Sequence, residues 1–454
     1  MTLIKSISGI RGTIGGKAGD NLTPQDVVEC TAALAVWMKE RNVPLKVVVG
    51  RDGRLSGPIV SAIAINTLLA MGIDVVDLGL STTPTVEVMV PETRSGVGII
   101  FTASHNPGQW NALKFLNEKG EFISAADGQR IIDIISLGSI SYQTVEKLGS
   151  YAAREDGYDI HISKILAYRH LNLQAVKAAG FRVVVDCINS TGAHAVPRLL
   201  DALGVEYKLI NDSDFGNFAH NPEPLPGHLR QLSEEIVSSG AHLGISVDPD
   251  VDRLAFVNED GSMFGEEYTL VAVADYILGR EKGNSVSNLS STRALSDVTV
   301  GHGGQYSASA VGEVNVVNEM KRTNALIGGE GNGGVIIPDL HYGRDALAGI
   351  AIFLSLLAEK KMSMSELKST YPSYAIIKDR MELKDDLELD SLFDRIKSVF
   401  GDEKINDIDG LKIDFNEGWV HMRKSNTEPI VRIYAEARDE KVAKSLIDKV
   451  RAVK

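Results

Sequence analysis

The sequence predicts an α/β fold built from repeated units, completed by a smaller α+β unit at the C-terminus. Three observations carry this. Short β-branched runs alternate with amphipathic stretches along the 454 residues. One strand–loop–helix–strand layout occurs twice. From Ser373 onward the chain changes character and alternates strand and helix in short pieces. At roughly 150 residues per domain, the length suggests about three domains.

The elements follow in order. Thr23-Pro24-Gln25-Asp26 reads as a helix start, with a capping Thr, Pro in first place and an acid in the first turn. Leu45 to Val49 reads as a buried strand, Gly50 to Arg54 as a loop, Pro58 to Met71 as a helix and Ile73 to Leu80 as the next strand. Strand, helix, strand implies a right-handed crossover in a parallel sheet. The segment from Arg182 repeats the layout, with loop glycines at Gly57 and Gly192 and helix ends near Gly72 and Gly204. Asn324 to Ile327 starts in a similar way and reads as a third echo. The polar stretch from Tyr142 to Tyr158 reads as a linker. Beyond Ser373 the expected elements are a strand at Ala375 to Ile377, a helix near Leu387 to Phe400, strands near Ile413 and Val431 to Ala435, and a helix from Glu440.

Composition excludes several classes. Hydrophobic residues make up 44% and charged residues 24%, so a packed core is available and wholesale disorder is not expected. The net charge of −13 argues against nucleic acid as a partner, while a local basic pocket for a small anion stays open. Cys30 and Cys187 are the two cysteines, with no CxxC, which fits a reducing compartment. The first residues lack the apolar core of a signal peptide and no apolar run reaches 18 residues. The expected location is the cytoplasm, with no membrane partner.

Four segments carry chemistry. Asp248, Asp250 and Asp252 follow an apolar strand at i, i+2 and i+4, with Pro249 turning the chain and Arg253 beside them. Such carboxylates repel unless a hard cation such as Mg²⁺ joins them; otherwise they form a solvated acidic turn. An EF-hand loop fails for want of Gly at position six and Glu at twelve. Thr102 to Gly108 follows another apolar run and places Ser104 beside His105. Adjacent side chains point apart, so a hydrolase Ser–His pair does not fit, and no G-x-S-x-G elbow occurs. Lys114, ten residues on, can stabilise charge or shuttle a proton.

Gly329, Gly331 and Gly334 make a formal G-x-G-x-x-G, but Val335 to Pro338 follows where a dinucleotide fingerprint opens a helix. What remains is a loop offering Glu330 and Asn332, a carboxylate and an amide suited to a polyol. Arg423 to Pro429, with Ser425, Asn426, Thr427 and Arg432 close behind, combines cations, hydroxyls and a turn for an anion. No Walker A sequence occurs. Arg11, in Ser8-Gly9-Ile10-Arg11-Gly12, and Arg51 add cations near Gly-rich turns.

Together these segments resemble the α-D-phosphohexomutase family, in the family's order. Thr102 to Pro107 matches its phosphoserine loop, Asp248 to Arg253 its metal loop, Gly329-Glu330 the start of its sugar loop and Arg423 to Pro429 its phosphate loop. Val251 stands where the metal loop commonly has Gly. The sugar loop reads Gly-Glu-Gly-Asn-Gly-Gly, a form similar to members that act on glucosamine phosphate. The resemblance implies three related mixed-sheet α/β domains and a smaller fourth around a central cleft. The expected boundaries are 1–152, 153–253, 254–370 and 371–454.

It also implies a phosphotransfer route. Phosphorylated Ser104 gives its phosphoryl group to a hexose monophosphate, a hexose 1,6-bisphosphate serves as intermediate and activator, and the other phosphate returns to Ser104. Mg²⁺ is expected on Asp248, Asp250, Asp252 and Ser104. Lys114 exchanges the proton, with Arg11 and His105 nearby. Glu330, Asn332, Arg253, Arg423, Ser425, Asn426, Thr427 and Arg432 bind the substrate. The expected reaction converts glucosamine 6-phosphate to glucosamine 1-phosphate; mannose or glucose phosphate is the alternative. Monomer and homodimer both fit.

Overall fold

The computed structural model describes residues 2–6, 9–138, 140–382, 386–424 and 430–453. The expected site residues Ser425, Asn426 and Thr427, and Ser8, lie outside the described residues.

Three sheets repeat one strand order. In the first, Lys46–Arg51 lies between the parallel strands Asp74–Leu80 and Val97–Phe101, and Trp110–Leu116 returns antiparallel beside Val97–Phe101. In the second, Arg182–Asp186 lies between Glu206–Ile210 and Leu243–Val247, and Leu254–Val257 returns antiparallel. In the third, Asn284–Asn288 lies between Tyr306–Ser309 and Ala325–Glu330, and Gly334–Ile336 returns antiparallel. The first sheet gains edge strands Ile4–Ser6, Gly9–Thr13 and Tyr151–Ala153 and reaches seven.

The order decides where chemistry sits. Each antiparallel return starts at the C-terminal end of a parallel strand, where open α/β sheets bind ligands. The three returns are residues 102–109, 248–253 and 331–333. They contain the serine, the acidic turn and the Glu330 loop, so three dissimilar motifs hold one topological position.

Three sequence expectations are corrected. The third repeat begins at Asn284, because Ala325–Glu330 turns straight into a hairpin instead of feeding a helix. Its polar strand Asn284-Ser285-Val286-Ser287-Asn288 hides the pattern. The polar segment after Tyr142 is not only linker: Tyr151–Ala153 pairs parallel with Asp74–Leu80. Leu254–Val257, expected to open the third unit, pairs with Leu243–Val247 in the second sheet. The capped N-terminal helix is present as Pro24–Arg41, with Thr23 and Asp26 forming a capping box.

The C-terminal sheet is antiparallel and five-stranded: Ala375–Glu382, Ile430–Ala437, Gly418–Lys424, Leu411–Asp414 and Lys404–Asn406 in spatial order. Helices Asp386–Val399 and Glu440–Arg451 cover one face through Ile396, Leu446, Ile447 and Val450. The strand carrying Arg423 was not read from sequence, since Trp419, His421 and Arg423 interrupt its apolar positions.

The second and third units share one hydrophobic core. Helix Ala346–Lys360 is buried on almost every side, as its near-continuous apolar sequence requires, and packs against helices of both units. Phe353 on that helix stacks on Phe256 at 3.9 Å and meets Phe264 edge-on at 5.2 Å.

A buried polar junction ties the first three units together. His161 Nε2 from the second donates to Asp345 of the third at 2.9 Å. His341 lies 3.2 Å from Asp345 and 3.2 Å from Glu87 of the first unit. Asp345 also caps helix Ala346–Lys360 through the Leu347 and Ala348 amides. Burial alone would lower the His341 imidazole; Asp345 and Glu87 outweigh it and raise it to about 10.

Two outcomes are expected. Phe353→Ala removes the centre of the shared core and costs about 3–5 kcal/mol in chemical denaturation. The His341 contribution is fully present below its unfolded pKa of about 6.5 and is lost as pH rises through the raised folded value. The melting temperature of the wild type therefore falls between pH 7 and 10, and His341→Gln flattens that fall.

Candidate active site

The serine loop is strained and clamped. Ser104 has φ 48°, in the left-handed region, where a non-glycine residue needs outside support. That support is Arg54, whose side chain is fully buried. Its guanidinium donates to the carbonyls of Ser104 (2.5 Å), Asn106 (2.6 Å), Pro107 (2.7 Å) and Trp110 (2.9 Å). Asp52 holds Arg54 from behind at 2.9 Å. Asp52 also accepts from the Thr102 hydroxyl at 2.7 Å, and Thr102 in turn accepts the Ser104 amide at 2.9 Å. Phe218 lies over the guanidinium at 5.0 Å.

The acidic turn faces this loop. Ser104 Oγ donates to Asp248 at 2.7 Å. The other Asp248 oxygen accepts the Asp252 and Arg253 amides, both at 3.1 Å. Asp250 accepts from Thr83 Oγ1 at 2.6 Å and Lys114 Nζ at 3.1 Å. Asp252 accepts from Arg344 at 2.6 Å. Val251 is forced to φ 59°, a costly conformation for a β-branched residue at a position where glycine is free of strain.

Arg344 gathers three carboxylates from the other loops. It reaches Asp252, Glu330 at 3.0 Å and Glu313 at 2.8 Å. Glu330 also accepts from Asn288 at 2.9 Å and the Gly312 amide at 3.2 Å. Three of roughly four acceptor positions on its carboxylate are thereby used, leaving about one for a hydroxyl. Asn332 is half-buried and accepts the Gly334 amide at 3.2 Å. A Cβ on Gly331 would lie 2.1 Å from the Glu267 carboxylate, which explains a glycine between Glu330 and Asn332.

The electrostatics are unbalanced toward a cation. Asp248, Asp250 and Asp252 are buried, and each offers an oxygen within 4.8 Å of the others. One oxygen each of Asp250 and Asp252 has no hydrogen-bond partner among the described residues. Burial, then Asp252 and Asp250, push the Asp248 carboxyl well above its ordinary range. Burial also opposes charge on Asp250, but Lys114 and Thr83 override it and hold that carboxyl low. Orphaned, converging, hard oxygens fit a divalent cation such as Mg²⁺.

The remaining expected residues divide. Arg11 is placed in Gly9–Thr13 opposite Ala112, so it shares a sheet face with Lys114. Burial lowers the Lys114 ammonium, but Asp250 and Asp252 outweigh this and raise it. His105 is pushed down to about 2 by burial and by Arg253, Arg344 and Lys114, so it is neutral. Arg253 lies 4.0 Å from Asp252 and 3.8 Å from Glu223. Arg423 and Arg432 sit apart from this cluster, directly opposite each other on neighbouring C-terminal strands.

Asp52, Arg54, Thr83 and Arg344 were missed by the sequence reading. Arg344 left a trace: a cation just before helix Ala346–Lys360 opposes the helix dipole and so needs another reason to be there. Arg54 left none, since Gly-Arg-Asp-Gly-Arg reads equally well as a polar loop.

Comparison with known proteins agrees with this geometry. Four phosphoglucomutase/phosphomannomutase domain profiles match in order: α/β/α domain I over residues 3–139, domain II over 159–261, domain III over 265–374 and the C-terminal domain over 378–453. The chain belongs to the phosphoglucomutase/phosphomannomutase family, the α-D-phosphohexomutases. A probable phosphoglucosamine mutase of Methanopyrus kandleri is 33% identical over 97% of this chain and 95% of its own. A phosphoglucosamine/phosphogalactosamine mutase of Sulfurisphaera tokodaii is 30% identical over 98% and 97%. A crystal structure of a phosphoglucomutase/phosphomannomutase family protein from Burkholderia thailandensis superposes with a TM-score of 0.86, at 27% identity, covering 99% of this chain and 96% of that one.

Arg54→Lys keeps a charge but cannot serve four carbonyls from a planar fork. It is expected to lower turnover by roughly 100-fold through misplacement of Ser104. Circular dichroism should show the fold retained, and a turnover within a factor of about two of wild type would contradict the clamp.

Proposed function

We propose that this protein is a phosphoglucosamine mutase, interconverting glucosamine 6-phosphate and glucosamine 1-phosphate through a phosphorylated Ser104 and a 1,6-bisphosphate. The observation that carries the reading is the 2.7 Å contact between Ser104 Oγ and Asp248, inside a buried triad of carboxylates. Asp248, Asp250, Asp252 and an oxygen of phosphorylated Ser104 would hold Mg²⁺, which when bound supplies neutralisation of phosphoryl charge.

The chain's own residues do the rest. Arg54 and Asp52 fix the Ser104 loop so that the serine oxygen meets one geometry in both half-reactions. In the first, the Ser104 O–P bond breaks as a bond forms from that phosphorus to the free sugar hydroxyl; the hydroxyl proton leaves, and the freed serine oxygen takes up a proton to become the Ser104 hydroxyl. Lys114 takes the sugar hydroxyl proton once Asp250 and Asp252 are neutralised, since in this structure they hold the ammonium form. Neutral His105 lends a hydrogen bond rather than a charge. The bisphosphate then turns over and its other phosphoryl group returns to Ser104.

Either orientation leaves one phosphate distant from Ser104. Arg423 and Arg432, with Ser425, Asn426 and Thr427 between them in the chain, receive it. Glu330, through its remaining acceptor position, Asn332 and Arg253 hold the sugar between the two phosphate sites. The choice of glucosamine rests on the names of the two relatives and on the Gly-Glu-Gly-Asn-Gly-Gly loop; mannose or glucose phosphate is the alternative.

Ser104→Ala is expected to lose at least about 10³-fold in turnover, with kcat and kcat/KM falling together. Intact mass of the active protein should show one phosphoryl group that the variant lacks. Chelation of divalent ions should abolish turnover and Mg²⁺ restore it. Release of inorganic phosphate without isomerisation would instead favour a phosphatase. Rates on glucosamine, mannose and glucose phosphates decide the substrate.

A further inference from the structure

The face of the C-terminal sheet opposite its two helices is ordered in rows. Residues directly opposite on neighbouring strands point to the same side. The row farthest from Lys424 and Ile430 is Ile376, Glu436, Trp419 and Asp414. The middle row is Lys378, Tyr434, His421 and Lys412. Both rows are occupied by the third unit. Glu436 accepts the Arg293 amide at 3.0 Å, Lys412 donates to the Leu289 carbonyl at 2.8 Å, His421 meets Ser290 at 2.9 Å, and Lys378 lies 3.5 Å from Glu266. Their charges are therefore answered by the unit they dock on.

The last row carries charges of one sign. Arg380 pairs with Arg432, and Arg432 with Arg423. Three arginines stand side by side across three strands, at the end of the sheet where Gly418–Lys424 stops and Ile430–Ala437 begins. Like charges directly opposite on a sheet repel. Arg423 Nε is buried without a hydrogen-bond partner among the described residues, and none of the ion pairs among them involves Arg380. Guanidinium groups that share one sheet face can donate paired N–H groups to the oxygens of a phosphate dianion.

We propose that Arg380 is a third phosphate-binding arginine of the distal site, acting beside Arg432 and Arg423. It was not among the expected site residues because it lies 43 positions before Arg423 on another strand. Its role is to hold the non-reacting phosphate of a sugar phosphate or bisphosphate. This rests on the assignment of Arg423 to the distal phosphate.

The test compares Arg380→Ala, Arg380→Lys and Arg423→Ala in the full chain, reading KM and kcat for glucosamine 6-phosphate and inhibition by inorganic phosphate. Loss of one charged hydrogen-bonding partner should raise KM on the order of tenfold or more in Arg380→Ala. Phosphate inhibition should weaken by a similar factor, kcat should change by less than about threefold, and the melting temperature should hold. Arg380→Lys should recover part of the affinity. If Arg423→Ala weakens both readouts and Arg380→Ala neither, the inference about Arg380 is overturned and the clamp stands. If neither variant weakens them, the distal clamp itself is misplaced and the inference falls with it. Should the wild type not turn over glucosamine 6-phosphate, calorimetric titration of inorganic phosphate into the same variants separates the same outcomes.

Discussion

Three buried carboxylates on a single six-residue turn set the terms for the whole molecule. Asp248, Asp250 and Asp252 cannot be neutralised by their own unit, whose nearest cation, Arg253, approaches Asp252 only to 4.0 Å. Their charge is answered from outside: Lys114 and Thr83 from the first unit, Arg344 from the third. An isolated buried carboxylate costs far more than a hydrogen-bonded one. The turn is therefore compatible only with an assembly in which three units meet at one point, and assembling them also builds the site. The oxygens left over are the ones that fit a cation.

The shared topology explains how three units meet productively. Each places its functional loop at the same return, from a parallel strand to an antiparallel one. Bringing the three strand ends together brings serine, carboxylates and Glu330 together without further design. The fourth unit lacks this topology and contributes differently. Two rows of its polar sheet face dock on the third unit, and the third row aligns Arg380, Arg432 and Arg423. On the proposed reading, a substrate that reacts at both ends has its reactive centre at the three returns and its phosphate anchor on the C-terminal sheet.

The parts legible in the sequence were those whose chemistry is local. Ser104, the Asp248–Asp252 turn and Glu330 each sit in a short segment after an apolar run, so motif and strand could be read together, whereas Arg423 showed only as part of a motif. Arg54 and Arg344 escaped because their partners are remote: Arg54 binds carbonyls some fifty residues away, and Arg344 binds Asp252 from 92 positions on. The third repeat was misplaced because its first strand, from Asn284 to Asn288, is polar on both faces of the alternation and so shows no apolar triplet.

Sequence alone determined the α/β class, the change of character near Ser373 and the identity of the four motifs, because periodicity and motif spacing are properties of neighbouring residues. Tertiary structure decided which side chains bear charge and which merely position others. It made Lys114 an ammonium and His105 a neutral ring, strained Ser104 and Val251 into left-handed geometry, and aligned three arginines from separated strands. Those outcomes depend on burial and on the distances between groups far apart in the chain, and a linear sequence carries neither.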